Sequence, residues 1–283
     1  SSMDTAKGLA ILCKNDGPSI KYKGFPKDIN NPLPVIAIPS TTGSGSEVAF
    51  NASFIDEDTK TKMGINYVNN YPLVSILDPE IVSSAPLTVL ASSGCDALVH
   101  SLEGFVSKSS SHVTRVFSKK AFHLILQNMS ILLDGKGDLS KWSKMQWAAV
   151  FAMWGLSNTS SGPTGALSYF LGTHYKVPHG IAGGVFIGKV SRFNHLRGFH
   201  DYADLYGWDP IHDQGLSREK KSEVVILAIE SLLEKAEIPK SITKCGVAEK
   251  EKKEFHNFAL KVKGAFDFNP VAFSTYDVNN LLI

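Results

Sequence analysis

Tyr71-Pro72-Leu73-Val74-Ser75-Ile76-Leu77 runs into Asp78-Pro79, and a short stretch later the chain passes Pro86 and enters Leu87-Thr88-Val89-Leu90-Ala91. The first run is short, apolar and stopped by a turn-forming Asp-Pro, which reads as a buried strand. Beyond Pro86 the period changes, and apolar residues recur at helical spacing through residue 108. This switch predicts an α/β part over residues 1–86 followed by an all-α part over 87–283, two domains joined near Pro86.

The same reading extends both ways. Upstream, Val35-Ile36-Ala37-Ile38 is a strand bounded by Pro34 and Pro39, and residues 51–55 and 62–65 pair as a hairpin around Asp56-Glu57-Asp58. Downstream, residues 112–133, 139–157 and 223–236 carry helical periodicity, and the remainder is mainly helical. The Lys/Glu-rich stretch 249–263 reads as a solvated helix face, because mixed charges four apart support an exposed helix. At the start, Ser1-Ser2-Met3-Asp4-Thr5-Ala6-Lys7 leads straight into Gly8-Leu9-Ala10-Ile11-Leu12 with no strand ahead of it, so a preceding segment is expected.

Composition excludes several classes. A chain of 283 residues that is 43% hydrophobic can bury one large core or two smaller ones. Lys+Arg 29 against Asp+Glu 27 gives a formal charge of +2, too small and scattered to track nucleic acid. Cys13, Cys95 and Cys245 form neither a CxxC pair nor an even framework, which suits a reducing compartment, the cytoplasm by default. No apolar run reaches bilayer length, and no membrane partner is expected.

Three local signals carry chemistry. Asp96 and His100, in Gly94-Cys95-Asp96-Ala97-Leu98-Val99-His100, lie four apart on a predicted helix and project from one face, a geometry that offers a metal one carboxylate oxygen and one imidazole nitrogen. Such pairs also arise by chance on surface helices. His179 stands between rigid Pro178 and permissive Gly180, so its ring is aimed either at a ligand or into the core. Ile38-Pro39-Ser40-Thr41-Thr42-Gly43-Ser44-Gly45-Ser46-Glu47 ends a strand in small residues that present backbone N–H groups and hydroxyls to phosphate or ribose, or else form an ordinary turn.

Taken in order, these pieces resemble the iron-containing (group III) alcohol dehydrogenases. Ser1 to Lys7 resembles the end of that family's glycine-rich pyrophosphate motif, residues 38–48 its second Thr/Gly/Ser cofactor motif, and Asp78-Pro79-Glu80 the close of a core strand. Residues 94–100 resemble its metal-binding helix, and Pro178-His179-Gly180 its later metal-ligand motif. The resemblance implies the C-terminal part of a Rossmann-like nucleotide-binding domain followed by a helical metal-binding domain. It also implies a small-molecule alcohol or aldehyde as substrate, a divalent metal (Zn or Fe), NAD or NADP, and a homo-oligomer, dimer or larger. Asp96, His100 and His179 would be the metal ligands, with the cation as Lewis acid and the nicotinamide as hydride partner. Ser1, Ser2, Asp4, Lys7, Ser40, Thr41, Thr42, Ser46 and Lys62 would lie on the cofactor side.

One departure bears on the site. The family carries two further histidines ahead of a Leu-Gly, and aligning on Leu171-Gly172 places those positions at Gly165 and Tyr169. Three readings follow: Asp96, His100 and His179 hold the metal alone, as a catalytic site with three protein ligands allows; His174 substitutes; or the metal is lost. The last would leave a reductase similar to maleylacetate reductase or a non-catalytic nucleotide-binding remnant; a dehydroquinate synthase-like lyase, which uses the nicotinamide only transiently and leaves no net NADH, is a separate alternative. Tyr169 either offers a phenol to the substrate and its proton path or packs as an aromatic. The missing histidines resemble a branch acting on the C8 hydroxyl of the acid sugar Kdo, and the polar run 157–162 would suit hydrogen bonding to a sugar.

Overall fold

The computed structural model describes residues 2–56, 58–209 and 215–281. Helix α1 spans Ser2–Leu12, and two short strands, β1 (Ile36–Ala37) and β4 (Val74–Ser75), pair in parallel with Ile36 opposite Val74. Between them the expected hairpin forms from β2 (Asn51–Asp56) and β3 (Thr61–Asn66), antiparallel with Asn51 opposite Asn66. The runs over 35–38 and 71–77 thus pair over only two residues each. The hairpin lies against α1 through β2, and Ile11, Tyr22, Met63 and Ile65 close a small core there.

Asp78-Pro79 ends the strand run by starting a helix. The Asp78 side chain accepts from Glu80 N at 2.9 Å and Pro79 occupies the first turn of α2 (Pro79–Ser83), where its missing N–H is no loss. Beyond Pro86 come α3 (Leu87–Val106), α4 (His112–Leu133) and α5 (Leu139–Ser157). Ser111 caps α4 in a reciprocal box with Thr114, and Asp138 caps α5 through Lys141 N. The chain continues through α6 (Pro163–Tyr175), α7 (His179–Leu196), α8 (Arg218–Lys235), α9 (Lys252–Lys261) and α10 (Thr275–Leu281). Helix α8 begins ahead of its apolar stripe because Ser217 caps it, accepting from Lys220 N.

Helix α3 is the axis of the molecule. It packs on α4, α5 and α7, and residues 94–106 are all buried. Side chains such as Leu98, Leu102, Phe122, Ile125 and Phe186 fill the surrounding core. Burial of each such side chain contributes roughly 1.5–3 kcal/mol. Polar groups that α3 carries on this face are therefore fixed by dense packing, which is what a metal-binding helix requires.

Candidate metal centre and the loop beside it

On α3, Asp96 and His100 stand one turn apart, and His100 Nε2 lies 3.5 Å from Asp96 Oδ1. His179 opens α7 and brings its own Nε2 to 3.8 Å from the same oxygen. One ligand atom from each residue lies within 4.8 Å of the others. The sequence reason for this approach is Gly180. A Cβ there would sit 1.8 Å from the Ser92 carbonyl oxygen and 3.0 Å from Asp96 N, so only glycine lets the start of α7 touch α3.

The protonation pattern suits a cation. Ser168 Oγ donates to Gly165 O at 2.7 Å, so toward His179 Nδ1, 3.4 Å away, it accepts; the N–H sits on Nδ1 and the Nε2 lone pair faces Asp96. Crowding by protein on the closed side of the ring holds the His179 imidazole below its ordinary value; Asp96 opposes this, and the positive fields of Lys62 and His100 add to it. The ring is therefore neutral at pH 7 and keeps 39% of its side-chain surface open. His100 Nδ1 is buried without a partner. Two imidazoles and a carboxylate oxygen facing one another form a donor set that a divalent cation satisfies. Neighbouring Cys95 takes no part: burial, then the Asp96 charge, push its thiol up to about 12.

At the altered positions the space is already filled. A Cβ on Gly165 would lie 2.2 Å from Ser161 Oγ and 3.0 Å from Glu103 Oε2. Glu103, which sequence reasoning passed over, is 4% exposed and accepts from Ser161 Oγ (2.6 Å), Thr164 N (2.8 Å) and Gly165 N (3.1 Å). It caps α6 from α3, a carboxylate placed at a helix N-terminus. Burial pushes its carboxyl above the usual range while the three donors hold it down. Its signal was present: Asp96, His100 and Glu103 follow an i, i+4, i+7 pattern on one face.

Tyr169, one turn along α6, stacks on His179 with ring centroids 5.4 Å apart and planes 14° from parallel. Lys62 reaches in from β3, its Nζ 4.4 Å from the Tyr169 ring centre and donating to the phenol oxygen at 3.4 Å. His174 does not join the cluster: it stacks on Phe170 and faces Glu254 at 3.8 Å. In the polar run 157–162, Ser161 turns onto Glu103, while exposed Asn158 and half-buried Thr159 bond back to Trp154 O and Leu156 O of their own helix end.

The cofactor-side residues divide by burial. Ser2, Ser40 and Thr41 are exposed, whereas Asp4, Lys7, Thr42 and Ser46 are buried; Ser1 lies outside the described residues. Lys7, at 0% exposure, donates to Ser46 O and Ala49 O, both at 3.0 Å. Burial lowers its ammonium to about 8, with Asp4 and Glu47 pulling it back up. The expectation that Lys7 meets the cofactor runs against this enclosure, since its donors are already used.

A model of the Fe-containing alcohol dehydrogenase family's C-terminal region matches residues 90–283, and one of the iron-containing alcohol dehydrogenases matches residues 1–79. The chain belongs to the iron-containing alcohol dehydrogenase family. It is 31% identical over 271 residues to 1,3-propanediol dehydrogenase of Citrobacter freundii, covering 95% of this chain and 70% of that protein. The NAD-dependent methanol dehydrogenase of Bacillus methanolicus is 30% identical over 267 residues, covering 94% and 68%. Among solved structures, a 1,3-propanediol oxidoreductase superposes with a TM-score of 0.89 at 29% identity, covering 99% of this chain and 73% of that one. As an iron-type alcohol dehydrogenase, this chain has no helix among its described residues long and apolar enough to cross a membrane.

Proposed function

We propose that Asp96, His100 and His179 hold a divalent metal, iron or zinc, and that the enzyme interconverts a small alcohol and its aldehyde with NAD or NADP at the same cleft. The observation that carries this is the convergence of both Nε2 atoms on one Asp96 oxygen, with His179 held neutral and its lone pair facing inward. Bound there, the cation supplies Lewis acidity toward the substrate oxygen and the nicotinamide supplies a hydride acceptor or donor. Gly165 leaves three protein ligands, enough for a catalytic site.

The chain's own groups do the rest. Ser168 sets the His179 tautomer, and Glu103 fixes the helix end that carries Ser168 and Tyr169. The Tyr169 ring covers one face of His179 and keeps water from it. Because Lys62 donates to the phenol oxygen, the Tyr169 O–H remains available to give a proton to, or through, the substrate. Exposed Ser40 and Thr41 meet the nucleotide. A small substrate is favoured over a sugar, since the Ser157, Thr159 and Ser161 hydroxyls donate to Met153, Leu156 O and Glu103 within the protein. The division near Pro86 places the metal helix entirely in the all-α part. A homo-oligomer fits the exposed Val113, Val116 and Trp147.

The test joins two measurements on the purified enzyme. Elemental analysis should find one Fe or Zn per chain, and a series of small primary alcohols including propane-1,3-diol should give net reduced nicotinamide by absorbance. Asp96→Ala and His179→Ala should abolish both. Turnover without metal, or a reaction with no net change in the nicotinamide, contradicts the proposal.

A further inference from the structure

Four residues that align with nucleotide-binding motifs, Asp4, Lys7, Thr42 and Ser46, are buried, and their contacts describe a different task. Lys7 is fully enclosed in α1. Its ammonium carries three protons: two point at Ser46 O and Ala49 O, each 3.0 Å away, and Asp4 Oδ1 lies 3.6 Å from the same nitrogen. Asp4 Oδ1 in turn accepts from Ser46 Oγ at 2.9 Å. A buried ammonium saturated in this way has nothing left for a phosphate. What it grips is the far end of the Thr/Gly/Ser loop.

The near end of that loop is gripped by the metal helix. A Cβ on Gly43 would come within 2.6 Å of Ser93 O and 2.8 Å of Ser93 Cα, and Thr42 Oγ1 lies 3.3 Å from Ser93 Oγ. Gly45, at φ +61°, takes the left-handed backbone that glycine favours, and a Cβ there would meet Met153 Cβ of α5 at 2.3 Å. Ser93 precedes Asp96 by three residues, less than one turn of α3. The loop is therefore wedged between α1 on one side and α3 with α5 on the other. Ser40 and Thr41 at its entrance are exposed and Ser44 is half-buried, while the rest of the run from Thr42 to Glu47 is buried.

We propose that Lys7, with Asp4, is a positioning residue: it clamps the Ser46–Ala49 end of the loop to α1, so that Ser40 and Thr41 sit at a fixed distance from the helix bearing Asp96 and His100, and it does not touch the nucleotide. This rests on the preceding reading only for the loop's use by a nicotinamide nucleotide. Since the hydride partner must lie within reacting distance of the metal helix, freeing the clamp blurs that distance; a displacement near 1 Å lowers turnover by roughly a hundredfold.

Two experiments decide it. In the first, the intact enzyme is reductively methylated with and without saturating NAD or NADP, and modification of each lysine is read by peptide mass spectrometry. Lys7 stays unmodified in both states if it is a clamp; modification in the free enzyme that nucleotide suppresses overturns the proposal. In the second, Lys7→Met and Gly43→Ala, the latter prising the loop off Ser93, are measured for nucleotide dissociation constant, metal content and kcat at saturating nucleotide. Both should weaken nucleotide binding by about tenfold or more and lower kcat further, with metal per chain unchanged. Folded variants with wild-type nucleotide affinity and kcat overturn it. A wild-type enzyme that binds no nucleotide refutes the dehydrogenase reading instead, and the methylation arm still shows whether Lys7 is enclosed.

Discussion

Replacing Gly180 with alanine tests whether close contact of two helices is what builds the metal centre. The added Cβ would stand 1.8 Å from Ser92 O, where anything under 3.0 Å forces a shift, so α7 and α3 must part by on the order of 1.2 Å. His179 is the neighbouring residue, and its Nε2 is 3.8 Å from Asp96 Oδ1. Metal–ligand distances tolerate only about 0.2 Å, so a parting of this size removes His179 from the coordination set. Overpacking of this kind costs about 1–3 kcal/mol, against which the better helix propensity of alanine returns at most about 1 kcal/mol. Gly172 supplies the control. It lies inside α6 with its nearest new contact at 3.8 Å, so Gly172→Ala should stabilise the fold by up to about 1 kcal/mol and leave the metal alone. Denaturant titration with metal analysis reads both quantities: Gly180→Ala should lose metal affinity by roughly 10–100-fold or more, and Gly172→Ala none. A Gly180→Ala enzyme with full metal, unchanged affinity and no loss of stability refutes the reasoning.

Other outcomes follow from the same geometry. Glu103→Gln keeps a carbonyl oxygen for Thr164 N and Gly165 N but sets an NH2 where Ser161 Oγ donates, obliging that hydroxyl to turn and accept, so it should destabilise the fold by about 1 kcal/mol, measured by urea titration, with the metal still bound. Acid sensitivity has a definite sign: His179 is held below its ordinary value, so as pH drops below about 6.5 the unfolded chain takes up a proton that the folded one refuses, and metal-free stability falls. His179→Phe should flatten that part of the pH–stability curve; an unchanged slope would remove His179 as its source. Tyr169→Phe keeps the ring over His179 but lacks the hydroxyl, so kcat should fall by about 10²-fold with metal content unchanged, and an unaffected kcat would leave Tyr169 a packing residue.

Much of this architecture is legible from patterning. The helices at 112–133 and 139–157 begin where their apolar spacing begins, because the N-caps Ser111 and Asp138 coincide with it. Helix α8 shows the opposite case: its first turn is all polar, so only the Ser217 cap marks the start. Helix α7 contains Gly180, Gly183, Gly184 and Gly188, a composition that propensity disfavours; packing overrides it, since those glycines admit Ser92, Val99, Ile238 and Leu233. The pair Asp96 and His100 is readable from its i, i+4 spacing, but the arrival of His179 depends on the α3–α7 contact, which only the folded chain displays. Lys62 at Tyr169 is likewise a product of the β3–α6 packing. Glu103 was readable in principle, as a second acid on the buried face of α3 that carries Asp96 and His100.

The most direct measurement is a crystal structure of the metal-loaded enzyme, with data collected across the Fe and Zn absorption edges. The account predicts one anomalous peak per chain, within about 2.0–2.3 Å of Asp96 and of Nε2 of both His100 and His179, and no peak there in Asp96→Ala. An active enzyme whose metal sits elsewhere, or whose three side chains stay unliganded at full turnover, would contradict it.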